Sequence, residues 1–124
     1  MTKPKLNEGE IYAGAIINPD GTGHHIILLA AIDNKTFTWK QAMELAKEAG
    51  GDLPNRVESA LLFNQLKDQS QDQSQETWYW TNEQHASLSG FAWFHNFYNG
   101  NQCNYHKSNE LRARAVRRVE IKND

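Results

Sequence analysis

The chain has 124 residues, of which 39% are hydrophobic and 23% are charged, and its formal net charge is −2 at pH 7. This length provides one domain, and the composition excludes a fibrous or a fully disordered protein. The slightly acidic balance argues against a basic surface that would cover the whole molecule for nucleic acid. The longest apolar run, residues 26–32, has seven residues, whereas a membrane-spanning helix needs roughly 20, so we expect no membrane span.

The cysteine count and the N-terminus restrict the class further. Cys103 is the one cysteine of the chain, which excludes an intrachain disulfide and zinc sites that need two cysteines. Residues 1–9 are charged and contain no apolar segment, so they predict a polar arm and not a secretory signal. We therefore expect a cytoplasmic or virion-associated protein in which residues 10–124 form a single domain.

The N-terminal part of this domain predicts a β-hairpin. Residues 10–17 are rich in β-branched and small residues, and residues 25–32 form an apolar run that predicts a buried strand. Between them, residues 18–23 hold five turn-forming residues in six positions. Such a segment joins two antiparallel strands by a turn.

The first predicted helix spans residues 38–49. Thr38 and Gln41 match a capping box, and the glycine pair at 50–51 provides the stop. One face of this helix carries residues at helical spacing, which predicts that it faces the core: Trp39, Ala42, Met43, Ala46 and Ala49.

The second predicted helix runs from residue 55 to about residue 67. Asn55 and Glu58 repeat the capping-box pattern. Its shared face consists of Ser59, Leu62, Phe63 and Leu66. Residues 68–76 follow as a polar tract with a duplicated Asp-Gln-Ser-Gln unit, which predicts an exposed loop.

The C-terminal half is rich in aromatic residues and predicts antiparallel strands. The four predicted strands are residues 77–81, 91–98, 103–107 and 112–119. Asn99-Gly100 predicts a two-residue type I′ turn, which needs positive φ at both central positions. The predicted core side chains of this half are Trp78, Trp80, Trp93 and Phe97, with Ala113 and Ala115 on one face of the last strand and Arg112, Arg114 and Val116 on the other. The segregated elements indicate an α+β fold with an N-terminal β-hairpin, two helices and a C-terminal antiparallel β-meander.

Five sequence pieces occur in an order that resembles a known family. They are Trp-x-x-Ala at 39–42, Gly-Asp-Leu-Pro-Asn-Arg-x-Glu at 51–58, Trp-Tyr-Trp-Thr-Asn-Glu at 78–83, Ala-Trp-Phe-His-Asn-Phe at 92–97 with Asn-Gly at 99–100, and Lys-Ser-Asn at 107–109 leading into Arg-x-Arg-x-Val-Arg at 112–117. This order resembles the Lcl C-terminal domain family of bacteria and phages. The resemblance covers residues 10–119 and implies a C-type-lectin-like fold. The chain departs from the family in having Gly-Asp-Leu-Pro where Trp-Arg-Leu-Pro is common, and Ala46 and Ala115 near positions where cysteines are often seen.

No metal site or cofactor is predicted. Cys103 and His106 have ligand-like spacing, and His24 with His25 could complete a zinc set. However, residues three apart in a strand point to opposite faces. The sequence also lacks the Glu-Pro-Asn-like and Trp-Asn-Asp motifs of calcium-dependent lectins.

Catalysis and nucleic-acid binding are weaker interpretations. The chain contains no Gly-x-Ser-x-Gly, His-Glu-x-x-His or P-loop motif, although acid–base work by His95 or His106 stays open. Residues 107–122 hold six basic and two acidic residues. Their arginines alternate with small residues, which is typical of a solvent-facing strand.

Aromatic and amide side chains in the C-terminal half predict a binding surface. Nine aromatic residues lie between residues 78 and 105, more than one core face buries, and residues 94–109 combine rings with amides as recognition surfaces do. The predicted binding residues are His95, Tyr98, Asn101, Asn104, Tyr105, His106, Arg112 and Arg114. A rival surface is the turn at 18–24, beside His24 and His25.

Together with the resemblance, these patterns predict a non-catalytic, metal-independent macromolecule-binding module encoded by a phage or prophage. Its partner would be a protein or glycan of the host, with a second copy of the chain as a further option. Two roles stay open: a receptor-recognition or tail-associated adhesin, and a small intracellular inhibitor of a host defence protein, similar to an anti-CRISPR. An enzyme with an unrecognised site is the third alternative.

Overall fold

Six strands and two helices follow one another in the computed structural model, which describes residues 2–31, 35–66 and 77–121. In chain order they are β1 (Ile11–Ile17), β2 (Gly23–Leu28), α1 (Trp39–Glu48), α2 (Arg56–Leu66), β3 (Trp78–Gln84), β4 (Phe91–Asn96), β5 (Gln102–His106) and β6 (Val116–Glu120). The predicted α+β class is therefore confirmed. Neither helix of the described ranges has the length and apolar character needed to cross a bilayer.

The strands form two three-stranded antiparallel sheets, with the orders β1-β2-β6 and β3-β4-β5. The sequence predicted that the last strand would extend the C-terminal meander, and this is wrong. β6 instead returns to the N-terminal hairpin, where Arg117 lies opposite Ile27. The reason is burial, because Ile26, Ile27 and Leu28 are almost completely buried and a strand of this kind lies between two neighbours.

The segment before β6 runs between the two sheets. Leu111 forms a bridge with Phe37, and Arg112 forms one with Tyr79. The strand predicted for residues 112–119 therefore begins only at Val116. Its alanines are buried as predicted, at 2% exposure for Ala113 and 0% for Ala115.

The N-terminal hairpin is confirmed. β1 pairs with β2 from Ile11 to Ile17, and the register shifts near Gly14, which has a φ of 135°. The Asn18 N–H donates to the Thr22 carbonyl at 2.7 Å and closes the predicted turn. β2 ends at Leu28, earlier than predicted, and residues 32–34 lie outside the described residues.

Both helices begin at capping residues that form local hydrogen bonds. The Thr38–Gln41 capping box is present at α1, whose Ala42 and Ala46 are fully buried. Ala49, predicted to share that face, is the exposed C-cap residue. At α2 the Glu58 N–H donates to the Asn55 side chain at 2.7 Å, and the Asn55 N–H donates to the Glu58 carboxylate at 2.8 Å. The predicted loop at 68–76 lies outside the described residues.

Two hydrophobic clusters form the core. The first joins α1 to the β3-β4-β5 sheet around Trp80, and the second joins α2 to the β1-β2-β6 sheet and includes Phe97. Burial of Trp80 and Phe97 is confirmed, and Trp78 packs against the first cluster while partly exposed. Trp93 does not belong to either cluster, and the prediction that it is core is wrong. Its ring lies under the Arg56 guanidinium instead.

The β4–β5 connection differs from the predicted two-residue turn. β4 ends at Asn96, and a four-residue loop, 97–100, leads to Asn101, whose carbonyl accepts from the Asn96 N–H at 2.8 Å. Gly100 has a φ of 82°, but no non-glycine residue of the described ranges has positive φ, so a type I′ turn is excluded. The longer loop places the Phe97 side chain in the second cluster, where it is 8% exposed.

Candidate functional site

A groove of about 730 Å³ opens between the first turns of α2 and the β4–β5 hairpin, and we call it the His95 groove. Its apolar wall is formed by α2 through Val57, Ala60 and Phe63. Its polar wall is formed by Glu83, Asn101 and Gln102. Val57 is 63% exposed, so an aliphatic side chain faces solvent at the rim.

His95 lies in the floor of this groove and is only 1% exposed. Its Nδ1 lies 2.9 Å from the Ser59 Oγ and 3.2 Å from the Gln102 Nε2. Its other ring nitrogen, Nε2, is buried and has no hydrogen-bond partner among the described residues. This nitrogen has almost no exposed surface, so a molecule in the groove does not reach it in this conformation.

Aromatic rings enclose the imidazole and keep it neutral. The Phe63 and Phe97 ring centroids lie 5.2 and 4.8 Å from that of His95. Burial lowers the pKa of His95 to about 4, although the backbone of Gly100 acts in the opposite direction. At neutral pH the imidazole is therefore neutral and carries one proton, either on Nδ1 or on Nε2.

Arg56 determines which nitrogen carries that proton. The Arg56 Nε donates to the Gln102 Oε1 at 2.9 Å, and the Gln102 Nε2 donates to the Arg56 carbonyl at 2.8 Å. These two bonds fix the amide orientation, so the group that faces the His95 Nδ1 is an NH₂ donor. The Nδ1 must then accept, and the proton lies on Nε2.

Besides its bonds with Gln102, Arg56 contacts Trp93 and Glu83. Its guanidinium carbon lies 3.6 Å from the centroid of the Trp93 ring, which is a cation–π contact. Its backbone N–H, at the first position of α2, donates to the Glu83 carboxylate at 2.7 Å. A carboxylate at a helix N-terminus is favourable. Arg56 and Glu83 thus place one positive and one negative charge beside the neutral His95.

Ser59 and His95 resemble part of a nucleophilic triad, but their positions do not favour catalysis. The Ser59 hydroxyl contacts the imidazole at 2.9 Å, yet Ser59 is 1% exposed. A nucleophile needs access to the reacting atom of its substrate. In this conformation the hydroxyl fixes the ring and is closed to a substrate.

The predicted binding residues do not form one continuous surface in the structure. His95 and Asn101 both line the groove, and Tyr98, on the same loop, is 40% exposed. The predicted surface position of His95 is wrong, because Phe63 and Phe97 cover its ring. Asn104 lies in the middle of β5 opposite Trp93 and is half-buried.

The remaining predicted residues lie away from the groove lining. Tyr105 packs against Trp78 and the first core cluster, and the exposed His106 contacts the Ser108 hydroxyl at 2.7 Å. Arg112 is half-buried where its backbone pairs with β3.

Arg114 is also half-buried and does not belong to an exposed strand. Its guanidinium donates to the Leu29 carbonyl at 2.9 Å, and burial lowers its pKa. The prediction that Arg112 and Arg114 lie on a solvent-facing last strand is therefore wrong. Both precede β6, in the segment that runs between the two sheets.

Sequence reasoning identified only two of the nine residues that line the groove, His95 and Asn101. Arg56, Val57 and Phe63 come from α2, and Glu83 and Gln102 come from β3 and β5. One signal was available in the sequence, since an arginine directly after a helix cap begins the first turn of the helix. The contact between that turn and the hairpin, however, arises from tertiary packing.

At the rival surface, the 18–24 turn, the two histidines are engaged in contacts within the protein. The His24 Nε2 lies 2.8 Å from the Glu58 carboxylate, and the His25 Nδ1 lies 2.8 Å from the Tyr12 hydroxyl. Glu58 is fully buried and also accepts two hydrogen bonds from Arg118, at 2.6 and 2.7 Å. These contacts join β2, α2 and β6.

The charge on Glu58 is retained despite burial. Burial acts to raise its pKa, but the hydrogen bonds from Arg118, the Asn55 N–H and His24 hold the pKa below its ordinary value. The same cluster raises the pKa of Arg118, chiefly through its hydrogen bonds with Glu58. Arg118 also contacts Asp52 at 2.9 Å.

The residues weighed as candidate metal ligands are not grouped in the part of the chain that the structure describes. Cys103 and His106 lie three positions apart on β5, and Cys103 is exposed. Within residues 2–31, 35–66 and 77–121, no group of three or more His, Cys, Asp or Glu side chains could hold a metal ion.

Comparison with protein families and with curated proteins gives no match. No protein-family model matches the chain, and no curated protein matches it. The resemblance to the Lcl C-terminal family therefore stays a prediction from the sequence.

Proposed function

We propose that this protein is a non-catalytic recognition module that binds a host macromolecule, without metal, through the His95 groove. We also propose a C-type-lectin-like architecture similar to the Lcl C-terminal family. One observation carries the functional proposal: an open groove of about 730 Å³ is lined by Arg56 and Gln102, which are already fixed by two hydrogen bonds to each other.

The groove is organised before any partner arrives. Gln102 is bound to Arg56 by two hydrogen bonds and contacts His95, and Arg56 is fixed over Trp93. Side chains that are already ordered lose little conformational entropy on binding. This arrangement favours recognition of a partner by a rigid surface.

The rim offers residues that binding surfaces commonly use. Val57 is 63% exposed, and Tyr98 is 40% exposed on the loop that closes the hairpin. Tyrosine gives a large contact area with few rotatable bonds. The positive charge of Arg56 is balanced by Glu83 at the same groove, which favours a protein or glycan partner over nucleic acid.

A capture experiment with matched variants tests this proposal. Wild-type protein, Val57→Asp and Leu88→Asp are immobilised and exposed to a bacterial host lysate and to a glycan array. Leu88 is 49% exposed between β3 and β4 and is the control for adding a charge to an apolar surface residue. We expect Val57→Asp to weaken binding at least tenfold and Leu88→Asp to leave it unchanged. Equal binding by wild type and Val57→Asp would overturn the groove as the recognition surface.

A further inference from the structure

The outer strands of the two sheets differ in how well their edges are protected. An edge strand presents unpaired main-chain groups, and native proteins protect it with charged side chains, bulges or covering segments. The outer strands are β1, β6, β3 and β5. In β1 the register shifts between Tyr12 and Gly14. β6 carries three charged side chains among its five residues and forms a bridge with Asp52, and β3 forms a bridge with Arg112.

β5 lacks these protections. Its sequence, Gln-Cys-Asn-Tyr-His, carries no formal charge when histidine is neutral, and none of its five residues is buried. It pairs with β4 in a regular register from Gln102 to His106. Among the described residues, no isolated bridge covers its outer side. β5 is therefore a regular, uncharged edge that is open to a further strand.

The pairing with β4 determines which main-chain groups of β5 point outward. The residues just before and after β5, Asn101 and Lys107, form main-chain hydrogen bonds to the β4 side at 2.8 and 2.9 Å. Alternate residues of an antiparallel strand bond to opposite sides. The His106 carbonyl also accepts from the Asn109 N–H at 3.0 Å, in the turn that follows. The main-chain groups that face away from β4 belong to three alternate residues: Gln102, Asn104 and His106.

The spacing of these outward groups is self-complementary. Antiparallel pairing of two copies of β5 about a two-fold axis at Asn104 places Gln102 of one copy opposite His106 of the other. Hydrogen-bonded pairs recur at every second residue of an antiparallel ladder, so all three outward residues of each copy would be paired. Two-fold association through the same surface is the commonest symmetry of soluble oligomers.

The side chains around this axis are compatible with the pairing. Asn104 would lie opposite its own copy, and an amide carries both a donor and an acceptor, so the two amides can bond each other. Cys103 would lie opposite Tyr105 of the second copy. Lys107, the charged residue next to β5, would lie opposite Asn101, so like charges do not meet. A second copy thus supplies the matching side chains by symmetry.

We propose that two copies of this protein associate through β5, antiparallel about Asn104, so that the two β3-β4-β5 sheets become one continuous sheet. A pair of five-residue strands buries less than the about 1,200 Å² of a stable interface. The dimer is therefore reversible, with a Kd between about 1 µM and 1 mM. This inference is independent of the recognition function proposed for the His95 groove, because it rests on the main chain of β5.

Sedimentation velocity of the whole chain over a concentration series tests the association. A phosphine reductant is present throughout, so that a disulfide between two copies of Cys103 does not mimic strand pairing. We expect the weight-average mass to rise from that of a monomer towards twice that value, and dilution to reverse the change. A monomer at every concentration up to about 1 mM would overturn the proposal.

Two lysine variants locate the interface. Asn104→Lys places two like charges at the axis, and it should raise the dimer Kd at least tenfold. Ile17→Lys is the matched control, because Ile17 is 59% exposed on the outer strand β1, and it should leave the Kd unchanged. Circular dichroism confirms that each variant is folded. Loss of the dimer in Ile17→Lys, with Asn104→Lys unaffected, would contradict pairing through β5.

The native cysteine provides a second test that needs no substitution. The two copies of Cys103 would lie diagonally across the strand pair, about 7–8 Å apart. Cys103 is exposed, so a short bismaleimide should join two copies and give a Cys103–Cys103 product in peptide mapping. Cys103→Ser is the control for reaction at other side chains. A dimer that the reagent does not join would contradict the proposed register.

Discussion

Removing the carboxylate of Glu58 is expected to destabilise the protein by about 3–4 kcal/mol. Glu58 is fully buried and accepts two hydrogen bonds from Arg118 and one from the Asn55 N–H. Loss of one partner of a buried ion pair costs about 3–5 kcal/mol. The lower part of that range applies because the Arg118 side chain is 31% exposed and water solvates it after the change. Loss of the reciprocal cap contributes about 1 kcal/mol within this total.

Urea denaturation of Glu58→Ala and wild type measures this difference in the free energy of unfolding. Glu44→Ala, at an exposed position of α1, is the control and should change stability by less than about 0.5 kcal/mol. Because the folded pKa of Glu58 is lowered, its contribution is present above its unfolded pKa of about 4.3 and is lost as pH falls through the folded pKa. A destabilisation of Glu58→Ala below about 1 kcal/mol at pH 7 would refute the ion cluster as the link between β2, α2 and β6.

Three further predictions concern the core, the hairpin loop and pH. Trp80→Ala should destabilise the protein by about 3–5 kcal/mol and Trp93→Ala by about 1–2 kcal/mol, because only Trp80 of the two is fully buried. Thermal or urea unfolding measures both losses of stability. Equal losses would contradict the assignment of the core. Gly100→Ala should cost about 1–2 kcal/mol or more in the same assay, since φ is +82° and a Cβ there would lie 2.9 Å from Phe63. The folded pKa of His95, about 4, lies below its unfolded value of about 6.5, so its contribution to stability is present above pH 6.5 and is lost as pH falls towards 4. His95→Phe should therefore flatten the decline in unfolding free energy between pH 6.5 and 4.5, and an unchanged slope would contradict the burial of a neutral imidazole.

Local structure followed from the sequence where it depends on neighbouring residues. The caps of both helices were predicted from Thr38 with Gln41 and from Asn55 with Glu58, because each cap is closed by hydrogen bonds over three residues. The α+β class followed from the same segregation of elements. Pairing of β6 with β2 could not be predicted in this way, since it joins residues as far apart in the sequence as His24 and Glu120.

Tertiary packing also overrode a strong local signal. Asn99-Gly100 favours a two-residue turn, but Phe97 packs in the second core cluster and its N–H donates to the Thr77 carbonyl at 2.9 Å. The strand therefore ends at Asn96, and the loop is longer.

The candidate site was only partly predictable for the same reason. Composition placed His95 and Asn101 on a binding hairpin, and both line the groove. No sequence pattern indicated that α2 would cover this hairpin. The burial of His95 and the contributions of Arg56 and Val57 follow from that contact.

The measurement that tests the central claim most directly is the ring ¹⁵N spectrum of His95, recorded free and with the macromolecule retained in the capture experiment. We expect the free protein to show the Nε2–H tautomer at pH 7, and the complex to show a shifted Nε2–H signal that exchanges more slowly with water. A complex in which the His95 signal is unchanged, while the shifts concentrate at Tyr105 and His106, would contradict recognition through the His95 groove.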